Sequence, residues 1–415
     1  MKFLTVKMAK IRQNFNDEHI EDIEKELNNE LIRSSFKIKR GANIAIAVGS
    51  RGVANIDKIV KTTVNYIKQL GGSPFIIPAM GSHGGATPAG QREILEEYGV
   101  TEEYINAPIK SSMEVLELPN DTLKNKVFMD KYAFESDGVI VINRIKAHTD
   151  FHGDIESGLM KMCVIGLGKH RQALEIHKYG VNGLKNLIVP TARKVLDTGK
   201  VVLGIGLVEN SYDKTAIIRA IKPEDIESSE KELLKISKKL MPSLPIKNID
   251  LLIVDEMGKD ISGVGMDPNI IGRTMIRCEQ EPSYPVVNNI YVRDLTAGTH
   301  GNAIGVGLSD YISRKLFNKI NFDSTYQNVI TSTFLQRGFI PIIVETDKQG
   351  IQFALRTSGS VEIENARVAW IKNTLHVNEI YISENLLNEI DSKDYIEVIT
   401  RDIDLIDKNG KMTSF

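Results

Sequence analysis

The sequence has few cysteines and no excess of charge of either sign. Among its 415 residues there are only two cysteines, Cys163 and Cys278. Two distant cysteines exclude a disulfide framework and a cysteine-based zinc cluster, and they fit a reducing compartment. The formal net charge is -2 at pH 7, without the clustered basic excess that nucleic-acid-binding proteins show. We therefore expect a cytoplasmic protein without a nucleic-acid partner.

Long apolar segments are also missing. No run approaches the ~20 apolar residues that a helix needs to cross a bilayer. The first fifteen residues, MKFLTVKMAKIRQNF, lack the apolar stretch and cleavage site of a signal peptide, so no membrane association is expected. The chain is 42% hydrophobic and 26% charged, and its length exceeds one compact core. These values predict a two-domain globular protein.

Short apolar runs alternate with amphipathic helical patterns over the first two thirds of the chain. Asn43–Val48 predicts a buried strand, and the segment that follows has apolar residues at helical spacing. Thr87 is expected to cap a helix that begins at Pro88. Further strands are predicted at PFIIPAM, GVIVINR, VVLGIGLVEN and DLLIVDEM, with an amphipathic helix between the last two. This alternation predicts an α/β fold with a mainly parallel sheet.

A polar, proline-containing segment, EQEPSYP at 279–285, predicts a linker. We therefore expect a larger N-terminal α/β domain (residues 1–280) that carries most of the candidate functional residues. A smaller C-terminal α/β domain (residues 281–415) is expected to close the cleft, with the active site between the two domains.

Polar side chains follow four of the predicted strands. The ligand crevice of an open parallel sheet lies beyond the carboxyl ends of its strands, so these side chains are candidates for one site. Each is common in a loop, but together they predict a cationic, glycine-lined crevice for a phosphate- or carboxylate-bearing ligand. In chain order they are Ser50 and Arg51; Ser82 and His83; Arg144, Lys146 and His148; and Lys259, Asp260 and Ser262.

Residues 148–177 hold four of the eight histidines, arranged on both sides of Lys161. Lys161 lies in the apolar segment ESGLMKMCVIGLG, which predicts a mostly buried helix. Two interpretations are open. The lysine either packs its stem and extends its amine to water, or presents a desolvated amine that acts as a nucleophile for covalent attachment.

The order of these residues resembles the lactate racemase family of nickel-dependent 2-hydroxyacid racemases and epimerases. Lys161 and His177 are separated by 177 − 161 = 16 residues, the spacing of that family's cofactor-bearing lysine and nickel-binding histidine. The resemblance extends from about Val48 into the second domain. The segments GSRGV, GSHGGAT and SGLMK depart from the family pattern, which indicates a divergent branch.

The resemblance implies a nickel pincer nucleotide as cofactor, a pyridinium mononucleotide that holds nickel through two sulfurs and a ring carbon. It implies covalent attachment to Lys161 through a thioamide and nickel coordination by His177. Ser50 and Arg51 are expected at the anionic groups of the cofactor. The enzymes that build the cofactor are the implied protein partners.

The resemblance also implies two acid/base residues, His83 and His148, on opposite faces of the substrate carbon. His152 is the alternative to His148, which we favour because it lies closer to the strand end. Lys259 and Asp260 are expected to bind the substrate.

The implied activity is inversion of C2 of a 2-hydroxy acid by proton-coupled hydride transfer. The departures from the family pattern favour a substrate more polar than lactate, such as a sugar acid. Two alternatives remain: a metal-free Schiff-base lyase or aldolase that uses Lys161, and a non-catalytic protein that binds an anionic metabolite.

Overall fold

A computed structural model describes residues 6–49, 52–277, 279–359, 362–390, 395–407, 410–412 and 415. The chain divides into two compact units. The central unit comprises Asn16–Met241, and the terminal unit comprises Met1–Phe15 together with Pro242–Phe415. None of the described helices combines the length and the apolar character that a bilayer-crossing helix requires.

The described strands are β1 (Lys7–Gln13), β2 (Asn43–Val48), β3 (Ser73–Pro78), β4 (Val115–Leu118), β5 (Val127–Asp130), β6 (Gly138–Arg144), β7 (Val201–Glu209), β8 (Thr215–Ile221), β9 (Asn248–Val254), β10 (Val286–Val292), β11 (Tyr311–Ser313), β12 (Ile342–Val344), β13 (Val368–Ile371), β14 (Glu379–Ser383) and β15 (Ile396–Asp404).

The described α-helices are α1 (Ile23–Arg33), α2 (Ile56–Gln69), α3 (Pro88–Glu97), α4 (Glu102–Ile105), α5 (Lys131–Glu135), α6 (Leu159–Lys161), α7 (Lys169–His177), α8 (Gly180–Asn186), α9 (Ile188–Leu196), α10 (Ile226–Leu240), α11 (Pro268–Ile271), α12 (Arg314–Phe317), α13 (Phe322–Ser332) and α14 (Asp347–Thr357).

The central unit is built on a sheet with the strand order β3-β2-β6-β7-β8. The first four strands are parallel, and β8 pairs antiparallel with β7. β2 is buried from Ile44 to Val48, as expected for a parallel strand covered on both faces. The predicted cap of α3 is confirmed, because the Thr87 hydroxyl accepts the Gly90 N–H at 3.1 Å. β4 and β5 form a separate antiparallel pair.

The terminal unit is built on a longer sheet, with the order β12-β11-β10-β9-β13-β14-β1-β15. The strands from β12 to β13 are parallel, and the remaining strands pair antiparallel. The predicted α/β class with mainly parallel pairing is confirmed. β1 lies between β14 and β15 and buries Met8 and Ile11 completely.

This division differs from the domain boundary that we expected at residues 280 and 281. β9 lies before that boundary, but it pairs in parallel with β10 and β13 and therefore belongs to the terminal unit. The segment expected to be a linker leads into β10 within the same unit. Later in this unit, β11 is followed directly by the short helix α12. The expected cleft between the domains stays a prediction.

The two units are expected to differ in their ability to fold as fragments. The core of the central unit is drawn from residues within 23–218, so fragment 16–241 should unfold cooperatively when heated. Fragment 242–415 lacks β1, and with it Ile11, which lies in the core of the terminal unit. We expect this fragment to show no cooperative transition by circular dichroism until a peptide of residues 6–15 is added. A cooperative transition of fragment 242–415 alone would contradict this account.

Candidate functional site

Three strands of the central unit end against the segment that carries Lys161. A side chain at Gly49, after β2, would place its Cβ 3.1 Å from Met162 Cε. At Gly81, after β3, a Cβ would lie 2.8 Å from Ile165 Cγ2. Asn143, at the end of β6, donates to the carbonyl of the residue before α6 at 2.8 Å. Glycines therefore allow two of the strand ends to approach this segment closely.

Lys161 and His177 lie on consecutive helical stretches, which are separated by a turn at residues 167–168. Lys161 is the last residue of α6, a π-helix follows at Met162–Gly166, and His177 is the last residue of α7. Single π-helical turns are frequent at functional sites. The sequence ESGLMKMCVIGLG was expected to form a mostly buried helix. Most of its residues are buried, although Lys161 itself is half-buried.

The amine of Lys161 is hydrogen-bonded to His148. Nζ lies 2.5 Å from His148 Nε2, and the His148 side chain is nearly buried. On the other side of the ring, Nδ1 accepts the backbone N–H of Asp150 at 3.0 Å. The ring also packs against Phe151, with 4.5 Å between the ring centroids. The structure thus brings together Lys161 and one predicted acid/base residue.

The loop of His148 is organised around the buried carboxylate of Glu156. Glu156 accepts the backbone N–H of His148 at 2.6 Å and that of Gly153 at 3.0 Å. Lys238 Nζ lies 2.6 Å from the same carboxylate, and His152 Nδ1 lies 3.5 Å from it. Burial alone would raise the pKa of Glu156, but these hydrogen bonds hold it below its usual value. His152, the alternative acid/base residue, is exposed and lies against Glu156.

The start of α6 is held by a second buried carboxylate, that of Glu230. Its Oε2 accepts the backbone N–H of Met160 at 2.8 Å, in place of the side-chain cap that Gly158 lacks. A side chain at Gly158 would place its Cβ 2.4 Å from Glu230 Oε1. Burial raises the pKa of Glu230 to about 7. Helix α10 therefore supports the Lys161 helix through Glu230 and the His148 loop through Lys238.

The imidazole of His177 is suited to metal coordination. It is half-buried, and burial lowers its pKa, so the ring is neutral at neutral pH. A positive charge on Lys161 would lower this pKa further, whereas the carboxylate of Asp150 raises it. Within the described ranges there is no group of three or more His, Cys, Asp or Glu residues that could hold a metal ion.

His83 lies in the turn after β3, on the same strand end as Gly81. Its backbone is extended, and it precedes a short 3-10 turn at Gly84–Ala86. The Gln91 side-chain amide donates to the carbonyl oxygens of Gly81 and His83, at 3.1 and 3.3 Å. The turn is thus fixed by a buried side chain of α3, and the His83 side chain is half-buried.

A buried ion pair anchors α7 next to this turn. Lys169 and Asp130 are both fully buried, and Lys169 Nζ lies 3.1 Å from Asp130 Oδ2. The ammonium also donates to the carbonyl of Pro78, the last residue of β3. Burial raises the pKa of Asp130 and lowers the pKa of Lys169. The pair thus joins β3, β5 and the helix that carries His177.

The predicted substrate-binding residues lie in the terminal unit, after β9. Lys259 Nζ donates to Asn328 Oδ1 at 2.7 Å, and Asp260 accepts from the Thr296 hydroxyl at 2.6 Å. Both residues are exposed. The predicted cofactor-binding residues Ser50 and Arg51 lie outside the described residues. Their roles stay predictions.

Sequence reasoning missed Asp150, Glu156, Glu230 and Lys238. One of them has a signal in the sequence, because Glu230 lies at helical spacing from Ile226 and Leu233 on the apolar face of α10. A carboxylate on such a face predicts a buried partner. Glu156 has no comparable signal, since its donors come from a loop and a distant helix.

Comparison with known proteins gives a likeness of fold. No family model and no curated protein matches the sequence. Among solved structures, the lactate racemase apoprotein from Thermoanaerobacterium thermosaccharolyticum matches with a TM-score of 0.52 and 13% sequence identity. The match covers 88% of this chain and 99% of that chain. The two proteins share a mixed α/β fold with mainly parallel sheets.

The raised pKa of Glu230 predicts a pH-dependent stability. Between about 4.5 and about 7 the unfolded chain loses this proton while the folded chain keeps it, so stability falls as pH rises. Relative to Glu230→Gln, the wild type should lose on the order of 3 kcal/mol of unfolding free energy over this range. Urea unfolding at pH 5 and pH 8 measures the difference. Glu232→Gln, at an exposed position of α10, is the matched control, and parallel pH profiles of wild type and Glu230→Gln would refute the assignment.

Proposed function

We propose that this protein is a racemase or epimerase that inverts C2 of a 2-hydroxy acid and carries a nickel pincer nucleotide on Lys161. The observation that carries the proposal is the contact of Lys161 Nζ with His148 Nε2 at 2.5 Å, on a segment that ends at His177. The lysine, an acid/base histidine and the nickel-binding histidine of the family pattern thus have counterparts in one unit, namely Lys161, His148 and His177. The likeness of fold to a lactate racemase apoprotein supports the same assignment.

The described residues fit such a cofactor. Because they contain no cluster of three metal-ligating side chains, a metal in this part of the chain needs most of its ligands from another source. A pincer nucleotide brings its own ligands and needs one further donor. The neutral imidazole of His177 is such a donor, and imidazole suits nickel. The half-buried amine of Lys161 provides the point of attachment.

In this proposal the protein's own residues handle the proton of the reaction. When bound, the cofactor supplies nickel and a pyridinium ring that takes up and returns hydride. His148 and His83 act on opposite faces of the substrate carbon: one imidazole accepts the hydroxyl proton through a nitrogen that carries a lone pair, and the other gives a proton back through a nitrogen that carries one. Histidine suits this role because imidazole gains and loses a proton near neutral pH. His148 presents Nε2 on the side of Lys161.

We further propose a substrate more polar than lactate, such as a sugar acid. The strand-end loops are rich in hydrogen-bonding side chains, among them Ser82, Lys259 and Asp260. A polyhydroxy acid offers partners to such groups. A small apolar acid would leave those that lie in the site unpaired, at a cost of about 1–3 kcal/mol for each buried group.

The attachment of the cofactor is tested by intact mass after co-expression with the enzymes that build it. We expect a mass excess that matches the tethered nucleotide. Lys161→Ala should abolish this excess, whereas His177→Ala should keep the excess and lose nickel, because one residue makes a covalent bond and the other a coordinate bond. Lys235→Ala, on the exposed face of α10, is the control.

The same samples discriminate the alternative functions. If Lys161→Ala protein carried the full mass excess and nickel, the assignment of Lys161 would be wrong. A substrate adduct trapped by borohydride, without the nucleotide, would indicate the Schiff-base lyase. Neither product would indicate a protein that only binds its ligand.

The substrate is tested with cofactor-loaded protein, which is incubated with lactate, malate and several aldonic acids in deuterated water. We expect inversion of an aldonic acid at C2 to be faster than inversion of lactate. C2 should retain mostly protium, because a transferred hydride need not exchange with solvent. Rapid deuterium incorporation at C2 would count against hydride transfer, and a preference for lactate would overturn the proposed substrate class.

A further inference from the structure

The hydrogen bonds of His148 define where its ring proton lies. Nδ1 accepts the backbone N–H of Asp150 at 3.0 Å, so this nitrogen presents a lone pair. A neutral imidazole with a lone pair on Nδ1 carries its proton on Nε2, and a charged imidazole has no lone pair. Nε2 is therefore the donor toward Lys161 Nζ, 2.5 Å away. The amine has to accept this hydrogen bond, and only an uncharged amine has a lone pair to do so.

The orientation of the His148 ring is fixed by its surroundings. The fully buried carboxylate of Glu156 binds the backbone N–H groups of His148 and Gly153, at 2.6 and 3.0 Å, which closes the loop on itself. Phe151 packs against the ring, with 4.5 Å between the ring centroids. A rotation of the ring that exchanged the two nitrogens would break the hydrogen bond from Asp150.

We propose that His148 holds Lys161 as an uncharged, nucleophilic amine before any cofactor is attached, so that small aldehydes of the 2-oxo acid class condense with it. The inference deepens the proposed function, on which it rests for the role of Lys161, because an uncharged amine is the form that attacks an acyl carbon. It also assigns Lys238 as a positioning residue. Lys238 binds Glu156 from α10 at 2.6 Å and acts on Lys161 only through the His148 loop.

The inference is tested on the purified protein without cofactor, with glyoxylate as the aldehyde and cyanoborohydride as the reductant. The Lys161 nitrogen bonds to the aldehyde carbon, both of its protons leave with the aldehyde oxygen as water, and an imine remains. Cyanoborohydride then delivers hydride to the imine carbon, and a solvent proton on nitrogen completes a stable secondary amine. Peptide mass spectrometry at successive times gives the rate of modification at each lysine.

At pH 7 we expect Lys161 to react at least about tenfold faster than Lys235, which is exposed on α10. A tenfold difference in the uncharged fraction of two amines corresponds to a difference of only about one unit in their pKa. His148→Phe keeps a ring against Phe151 but removes the donor, and it should reduce the Lys161 rate to that of Lys235. Lys238→Met should also reduce the rate at Lys161, whereas Lys238→Arg should keep the wild-type rate. Lys239→Met is the matched control and should leave the rate at Lys161 unchanged.

Thermal unfolding by circular dichroism shows whether each variant folds. If His148→Phe does not fold, NMR of the wild type with ¹⁵N-labelled histidine decides between the two tautomers. A ring protonated at Nε2 supports the inference, and a ring protonated at Nδ1 overturns it. Equal rates at Lys161 and Lys235 in the wild type, or an undiminished Lys161 rate in folded His148→Phe, overturn it as well.

The result is separable from that of the proposed function. Fast modification of Lys161 in a protein that gains no nucleotide on co-expression would refute the cofactor and leave the inference standing. A protein that gains the nucleotide but whose Lys161 reacts no faster than Lys235 would refute the inference and leave the cofactor standing.

Discussion

The contact of Lys161 with His148 sets the requirements that much of the central unit meets. Both side chains are bases, and two positive charges at 2.5 Å would repel each other strongly. In the arrangement that we propose both side chains are uncharged, and His148 donates to Lys161. The surrounding structure enforces this arrangement through the backbone N–H of Asp150 on one nitrogen of His148. The site is thus specified by hydrogen-bond direction as well as by proximity.

The buried carboxylates of Glu156 and Glu230 hold the segments that carry His148 and Lys161, and the two carboxylates differ in charge. Glu156 is surrounded by donors that include Lys238, so its pKa is low and it stays ionised despite burial. Glu230 is bonded by backbone N–H groups, which offset its burial only in part, so its pKa rises to about 7. Both interactions depend on α10, which supplies Glu230 to the helix of Lys161 and Lys238 to the loop of His148. A helix without a predicted catalytic role thereby positions both partners.

The likeness of structure to a lactate racemase apoprotein and the residue order of the sequence are separate observations. At 13% identity the likeness of structure concerns the fold, and the residues of the site have to carry the functional argument. In the proposed function they do so through the Lys161–His177 segment, whose π-helical turn and close approach to the glycines after β2 and β3 are features of this chain's own structure.

The sequence by itself determined the elements whose signals are local. β2, β6 and β7 follow from short uninterrupted apolar runs, and the amphipathic helix α10 follows from apolar residues spaced three to four apart, which are both local signals. The polar residues after these strands identified His148 as a candidate, and the apolar segment around Lys161 identified the lysine. Only the tertiary structure decided that β1 lies between β14 and β15, and that β9 belongs to the terminal unit, because strand pairing over long distances leaves no local periodicity. It also decided the role of Glu230, which meets Met160 across 70 positions of the chain, since burial of a carboxylate depends on what folds around it.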